Sequence, residues 1–180
     1  MARVPFATRD DLPEHERPIY DRLEQSRGKP VGHIWRALAN APNLLDKILA
    51  YADELRQGTT IDKRYRELGV MMVGLVTKSA YEFDHHWNAA LKAGVRREQL
   101  EALGDYAASP HFDDKERAVL AFAQESTANG EVSDATWDAV RRHFDQREAM
   151  ELVLTVAWYN NVVRILLPLR IEHEDWFRRM

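Results

Sequence analysis

The sequence predicts an all-α protein, and three observations carry that prediction. Glycine (8) and proline (7) are sparse in 180 residues. The good helix formers Ala, Leu, Glu and Arg recur at helical spacings. No run alternates apolar and polar residues as a half-buried strand does. The length favours one domain, 1–180, large enough to bury a sizeable core. A formal net charge of −4, with Lys and Arg interleaved among acids along the predicted helices, argues against a nucleic-acid partner. Cysteine is absent, which removes disulfides, thiolate metal ligands and thiol redox chemistry together. Residues 1–11 lack an apolar signal core, and no stretch approaches the ~18 consecutive apolar residues of a bilayer span. The expectation is a cytoplasmic protein with no membrane partner.

Residues 1–10 read as an extended arm, and Asp10 or Asp11 with Pro13 opens a first helix to about Arg27. Gly28-Lys29-Pro30 stops it. The short apolar segment His33 to Ala39 leads to Pro42, where a long helix begins that ends near Gln57-Gly58 and offers Leu44, Leu45, Ile48, Leu49 and Leu55 as a core face. Asp62 caps the next helix, in which Tyr65, Leu68, Met72 and Val76 fall at i, i+3, i+7 and i+11. A helix from Ser79 ends at Gly94, a left-handed cap by residue type, and Arg96 to about Tyr106 make another short helix. Ser109-Pro110-His111-Phe112-Asp113-Asp114 is the clearest loop and divides the chain into two helical halves. Asp113 or Asp114 starts a helix to about Asn129-Gly130, and Ser133 caps one with Trp137, Val140 and Phe144 on one stripe. The helix from about Gln146 carries Leu152 to Tyr159, apolar nearly all round, which suits a core or a subunit interface. It is disturbed at Pro168, and Glu172 to Arg179 form an amphipathic tail.

Functional groups concentrate between Glu67 and Val95. Residues three and four apart share a helix face, so Ser79, Glu82 and His86 form a column of hydroxyl, carboxylate and imidazole. An unbroken helix would hold Glu67 roughly 18 Å from Ser79. Contact between Glu67 and His86 therefore requires a break near Thr77-Lys78. Ser79-x-x-Glu82 is equally a capping box, its two side chains serving the first amides of a helix. Glu67 would be costly to bury unpaired, so it either reaches solvent or meets a partner such as Arg164 or His86. Tyr81 suits a pocket wall, and His85 faces a different direction from His86. Glu82-x-x-His85 could serve a di-iron bundle site only with a second such pair, which the chain lacks, and zinc would want cysteines or a His-x-x-x-His pair. No metal is expected.

As they stand, these residues resemble the carboxymuconolactone decarboxylase family, which includes the alkylhydroperoxidase D-like (AhpD-like) proteins. The family pattern is a glutamate, then twelve residues later Cys-x-x-Cys or Cys-x-Tyr-Glu-Trp, then a histidine, then Ala-x-x-x-Gly-Val. Here Glu67 stands twelve before Ser79, Ser-Ala-Tyr-Glu-Phe fills 79–83, His86 takes the histidine position, and Ala90, Gly94 and Val95 follow. Tyr159-Asn160-x-x-x-Arg164 looks like the family's later helix. The resemblance implies an AhpD-like multi-helical bundle of about nine helices, with residues 1–30 as an N-terminal extension, assembling as a homo-oligomer, a trimer or hexamer.

Ser79 and Glu82 stand where the redox branch carries cysteines, so a thiol peroxidase is excluded. What the resemblance leaves is a cofactor-free lyase, decarboxylase-like, or a related isomerase or hydrolase. Its substrate would be a small molecule bearing a carboxylate or lactone. His86 is the general acid/base, Glu67 its orienting or relay partner and Glu82 a second proton-transfer group. Ser79, Tyr81, Asn160 and Arg164 are the substrate-binding candidates, with Arg164 a clamp for a carboxylate. A carboxylate partner raises an imidazole pKa and burial lowers it, so sequence leaves the direction at His86 open. The alternative is a non-catalytic relative that binds a small molecule or serves assembly.

Overall fold

Apolar residues at helical spacing, punctuated by caps, fold into nine α-helices in the computed structural model, which describes residues 1–180. They are α1 (Arg17–Arg27), α2 (His33–Leu38), α3 (Pro42–Gln57), α4 (Lys63–Thr77), α5 (Ala80–Lys92), α6 (Arg97–Glu101), α7 (Asp114–Asn129), α8 (Asp134–His143) and α9 (Gln146–Leu169). No residue is in a strand. The chain groups into two compact units, Met1–Thr59 with Leu166–Phe177, and Thr60–Ile165 with Arg178–Met180. The division falls beside Thr59, not at the Ser109 loop.

In the first unit α3 packs against α1 and α2, burying Tyr20, Leu23, Val31, Leu45 and Leu49. Two expectations change here. The first helix begins at Arg17, with Pro18 in its first turn, while Asp10, Asp11 and Pro13 belong to short 3-10 turns ahead of it. Leu44 is exposed and Ile48 only half-buried, because the inward face of α3 runs through Leu45, Leu49, Ala52 and Leu55. Beyond Leu169 the tail is not helical: Arg170 turns left-handed at φ 52°, and Pro168 sits in the last turn of α9.

The second unit is built round α4, which packs on α5 and α7 and is buried at every position from Arg66 to Gly74. The caps are those the residue types call for. Asp62 accepts from the Arg64 amide at 2.8 Å, Asp113 and Glu116 cap α7 reciprocally at 2.8 and 2.9 Å, and Ser133 accepts from the Thr136 amide at 3.2 Å. Helix α9 adds Leu152, Val156 and Val163 to this core. The expectation that no stretch suits a membrane is corrected by α9, whose 24 residues and mean hydropathy of 1.5 suffice by length and composition. Thr155, Asn160 and Asn161 interrupt a strictly apolar run, which hid it. A third of that window is buried, and its inward side chains Leu152, Val156 and Val163 join the core of the second unit.

The feature that positions the site is the corner between α4 and α5. Lys78 is left-handed (φ 56°, ψ 32°), its amide donates to Leu75 O at 3.2 Å, and the Ser79 amide donates to Gly74 O at 3.0 Å. This double closure ends α4 and turns the chain back within two residues. The helices then approach closely at Gly74, where a Cβ would lie 3.1 Å from both the N and Cα of Phe83. The obstacle is backbone, so it yields only if the helices separate. Gly74→Ala gains about 1 kcal/mol of helix propensity but faces an overpacking cost of about 1–3 kcal/mol. A net loss of stability is expected in urea denaturation, and a gain would show that the corner has slack.

Candidate functional site

The corner folds α5 back along α4 and brings two carboxylates to one imidazole. His86 Nδ1 lies 2.6 Å from Glu67 Oε2 on α4, and Nε2 lies 3.0 Å from Glu82 Oε1 one turn back on α5. The other Glu67 oxygen, Oε1, accepts from Arg66 Nη2 at 3.4 Å. The Tyr159 ring of α9 meets the imidazole edge-to-face, centroids 4.7 Å apart at 79°. The Glu67 and Glu82 side chains are 7% and 5% exposed, whereas His86 keeps 16%. The imidazole is therefore the most exposed member of the cluster.

Charge explains why so many polar groups tolerate this depth. Burial by itself would push the imidazole pKa down, but the Glu67 and Glu82 carboxylates outweigh it and raise His86 to about 10. Burial likewise pushes the Glu67 carboxyl up, yet the His86 and Arg66 cations and their hydrogen bonds hold it below its ordinary value. At neutral pH both ring N–H groups donate, one to each carboxylate. Arg66 and His86 then balance Glu67 and Glu82, two cations against two anions. The carboxylates sit on opposite nitrogens of one ring, so no single ion touches all three side chains, and no group of three or more metal-ligating residues occurs elsewhere.

The other candidates are placed as follows. Ser79 is the N-cap residue of α5, but the capping box does not form: its amide is committed to Gly74 O, Glu82 is committed to His86, and Ser79 Oγ is buried with no hydrogen-bond partner. Tyr81 is buried and its ring lies 4.2 Å from that of His85. Arg164 is exposed and donates to Asn160 O and Oδ1 at 2.8 and 2.9 Å, while Asn160 Nδ2 donates to Thr127 Oγ1 at 2.9 Å. That pair ties α9 to α7 and does not contact Glu67, so the partner Glu67 takes is His86 rather than Arg164. Sequence reasoning missed Arg66 and Tyr159. Adjacent residues on a helix do not normally face one another, which hid Arg66, whereas Tyr159 adjoined the Asn160 motif and was findable there.

Linkage gives this cluster a signature in stability. The folded pKa of His86, about 10, exceeds its ordinary 6.5. Its contribution is therefore fully present below about pH 6.5 and is lost as pH rises toward about 10, at up to about 1.4 kcal/mol per pH unit. The lowered Glu67 group behaves oppositely, contributing above its ordinary range and losing that contribution in acid. The melting temperature is expected to fall between pH 7 and 10, and to fall less steeply in Glu67→Gln. Equal slopes in the two proteins would show that the pair does not titrate as described.

Residues 42–125 match the model of the carboxymuconolactone decarboxylase family. The uncharacterized protein YdfG of Bacillus subtilis (strain 168) is 24% identical over 125 residues, covering 68% of this chain and 85% of YdfG. Among solved structures, a variant of the debrominase Bmp8 in complex with 2,3,4-tribromopyrrole is 20% identical with a TM-score of 0.80, covering 96% of this chain and 91% of that one. The AhpD core of a peroxidase-related protein from Ralstonia eutropha JMP134 is 22% identical with a TM-score of 0.81, covering 97% and 93%. At these identities the structural likenesses establish the fold. The chain therefore carries a match to the carboxymuconolactone decarboxylase family over residues 42–125, which include Glu67, Glu82 and His86, on the all-helical fold of the AhpD-like structures and without a cysteine.

Proposed function

We propose that the Glu67–His86–Glu82 cluster is a cofactor-free acid/base site, acting as a decarboxylase-like lyase on a small carboxylate- or lactone-bearing molecule. One observation carries the proposal: a partly exposed imidazole with each nitrogen on a buried carboxylate, kept protonated at neutral pH. Loss of CO2 from an unsaturated lactone acid pushes its bonding electrons into the conjugated carbonyl, and a proton must then reach carbon. The His86 Nε2–H supplies that proton, directly or through Glu82. Glu67, held by Arg66, steadies the ring from Nδ1 throughout. With a pKa of about 10 the ring is an acid rather than a base across the neutral range, and water reloads it after turnover. Base work, where a step needs it, falls to the Glu82 carboxylate.

The buried hydroxyl of Ser79, with no partner inside the protein, is the proposed donor to the substrate, with Tyr81, Asn160 and Arg164 as outer substrate contacts. Thiol peroxidase chemistry has no place in a chain without cysteine. The homo-oligomer, a trimer or hexamer, is also proposed. In support of it, Met150 (48%) and Leu154 (39%) are exposed on one stripe of α9 that continues through Ala157 and Asn161.

Turnover of unsaturated lactone acids, measured by CO2 release, is expected to be lost in both His86→Asn and Glu67→Gln while the circular dichroism spectrum persists. The wild-type rate should hold across the neutral range and fall as pH passes about 10. Full activity in both variants refutes the assignment.

A further inference from the structure

Helix α5 has a second face that the acid/base cluster does not use. At 100° per residue, Phe83, Asp84, Trp87 and Asn88 centre about 150° round the axis from Glu82 and His86. All four of these back-face residues are engaged by Arg178–Met180, which belong to the same compact unit. The Asn88 amide grips the segment at two points, Nδ2 donating to Arg178 O at 2.8 Å and Oδ1 accepting from the Met180 amide at 2.8 Å. The Trp87 indole donates to Met180 O at 3.0 Å. The Arg179 guanidinium pairs with Asp84 at 2.8 Å and lies 3.8 Å from the centroid of Trp87 and 5.4 Å from that of Phe83. Main-chain bonds fix the register of the segment, and one stacked, ion-paired arginine fixes its identity.

The Glu82–His86 bond lies within α5 and survives any rigid rotation of that helix. The Glu67–His86 bond crosses from α4 to α5, so at 2.6 Å it depends on how α5 is turned. We propose that Arg178–Met180 is a clasp that sets the rotation of α5, and that Asn88 and Arg179 are positioning residues for the Glu67–His86 contact. The functional consequence rests on the acid/base reading, but the geometric claim does not.

The test is an NMR titration of His86 in the full-length protein carrying Asn88→Ala or Arg179→Ala, at a temperature where circular dichroism shows each folded. Asn88→Ala changes no charge, so a downward move of the His86 midpoint by about one unit or more, roughly a tenfold change in proton affinity, reports a loosened Glu67–His86 contact. Arg179→Ala removes a cation, which on charge alone would raise the midpoint, so a fall there can only be geometric. Arg179→Lys, which keeps the cation, should restore most of the shift. If the lyase assignment holds, kcat falls in both alanine variants with KM little changed. A midpoint unmoved in Asn88→Ala, or raised in Arg179→Ala, overturns the clasp. Should Asn88→Ala not fold, the sign of the Arg179→Ala shift decides alone. Absence of any lactone turnover in the wild type, with both midpoints shifted down, would overturn the lyase and leave the clasp standing.

Discussion

Neutralising charge inside an otherwise apolar helix pair is the constraint on which the second unit depends. A carboxylate as buried as Glu67 cannot stay ionised alone; several kcal/mol of desolvation would drive it to take up a proton. Arg66 on one oxygen and His86 on the other keep it charged, and His86 in turn requires Glu82 on its second nitrogen. Four groups thus satisfy one another in sequence, and removing any one leaves an uncompensated charge among Leu68, Met71 and Met72. The arrangement fixes rotamers and protonation states at the same time. An acid that must meet a substrate in one orientation gains from both.

That electrostatic closure is possible only because the backbone turns sharply enough. The left-handed Lys78, the two amides returned to α4, and the missing side chain at Gly74 allow α5 to lie against α4 at backbone distance. A side chain at 74 would press on the Phe83 backbone and push α5 away from α4, lengthening the 2.6 Å contact between Glu67 and His86. Local sequence chemistry at three positions therefore determines a contact between residues nineteen apart.

Much of this was legible beforehand, for identifiable reasons. Asp62, Asp113 and Ser133 cap helices because their short acceptors leave the preceding backbone little better to do. The corner near Thr77-Lys78 followed from length alone, since a straight helix could not bring Glu67 near His86. Legibility failed where a distant partner beat a local one. Ser79-x-x-Glu82 had the pattern of a capping box, but Glu82 turned to His86 and the Ser79 amide went to Gly74. Arg66 was missed because neighbours on a helix point apart; here two long side chains bend back to meet. The direction of the His86 shift was unreadable because it depends on how many carboxylates reach one ring, and that number is tertiary.

The central claim is that His86 is held as an imidazolium between two carboxylates. Its most direct test is the 15N NMR spectrum of the His86 ring at pH 8. Both ring nitrogens should carry the shifts of protonated, hydrogen-bonded N–H groups, because the folded pKa stands near 10. A neutral ring at that pH, with one nitrogen showing the shift of an unprotonated acceptor, would contradict the account.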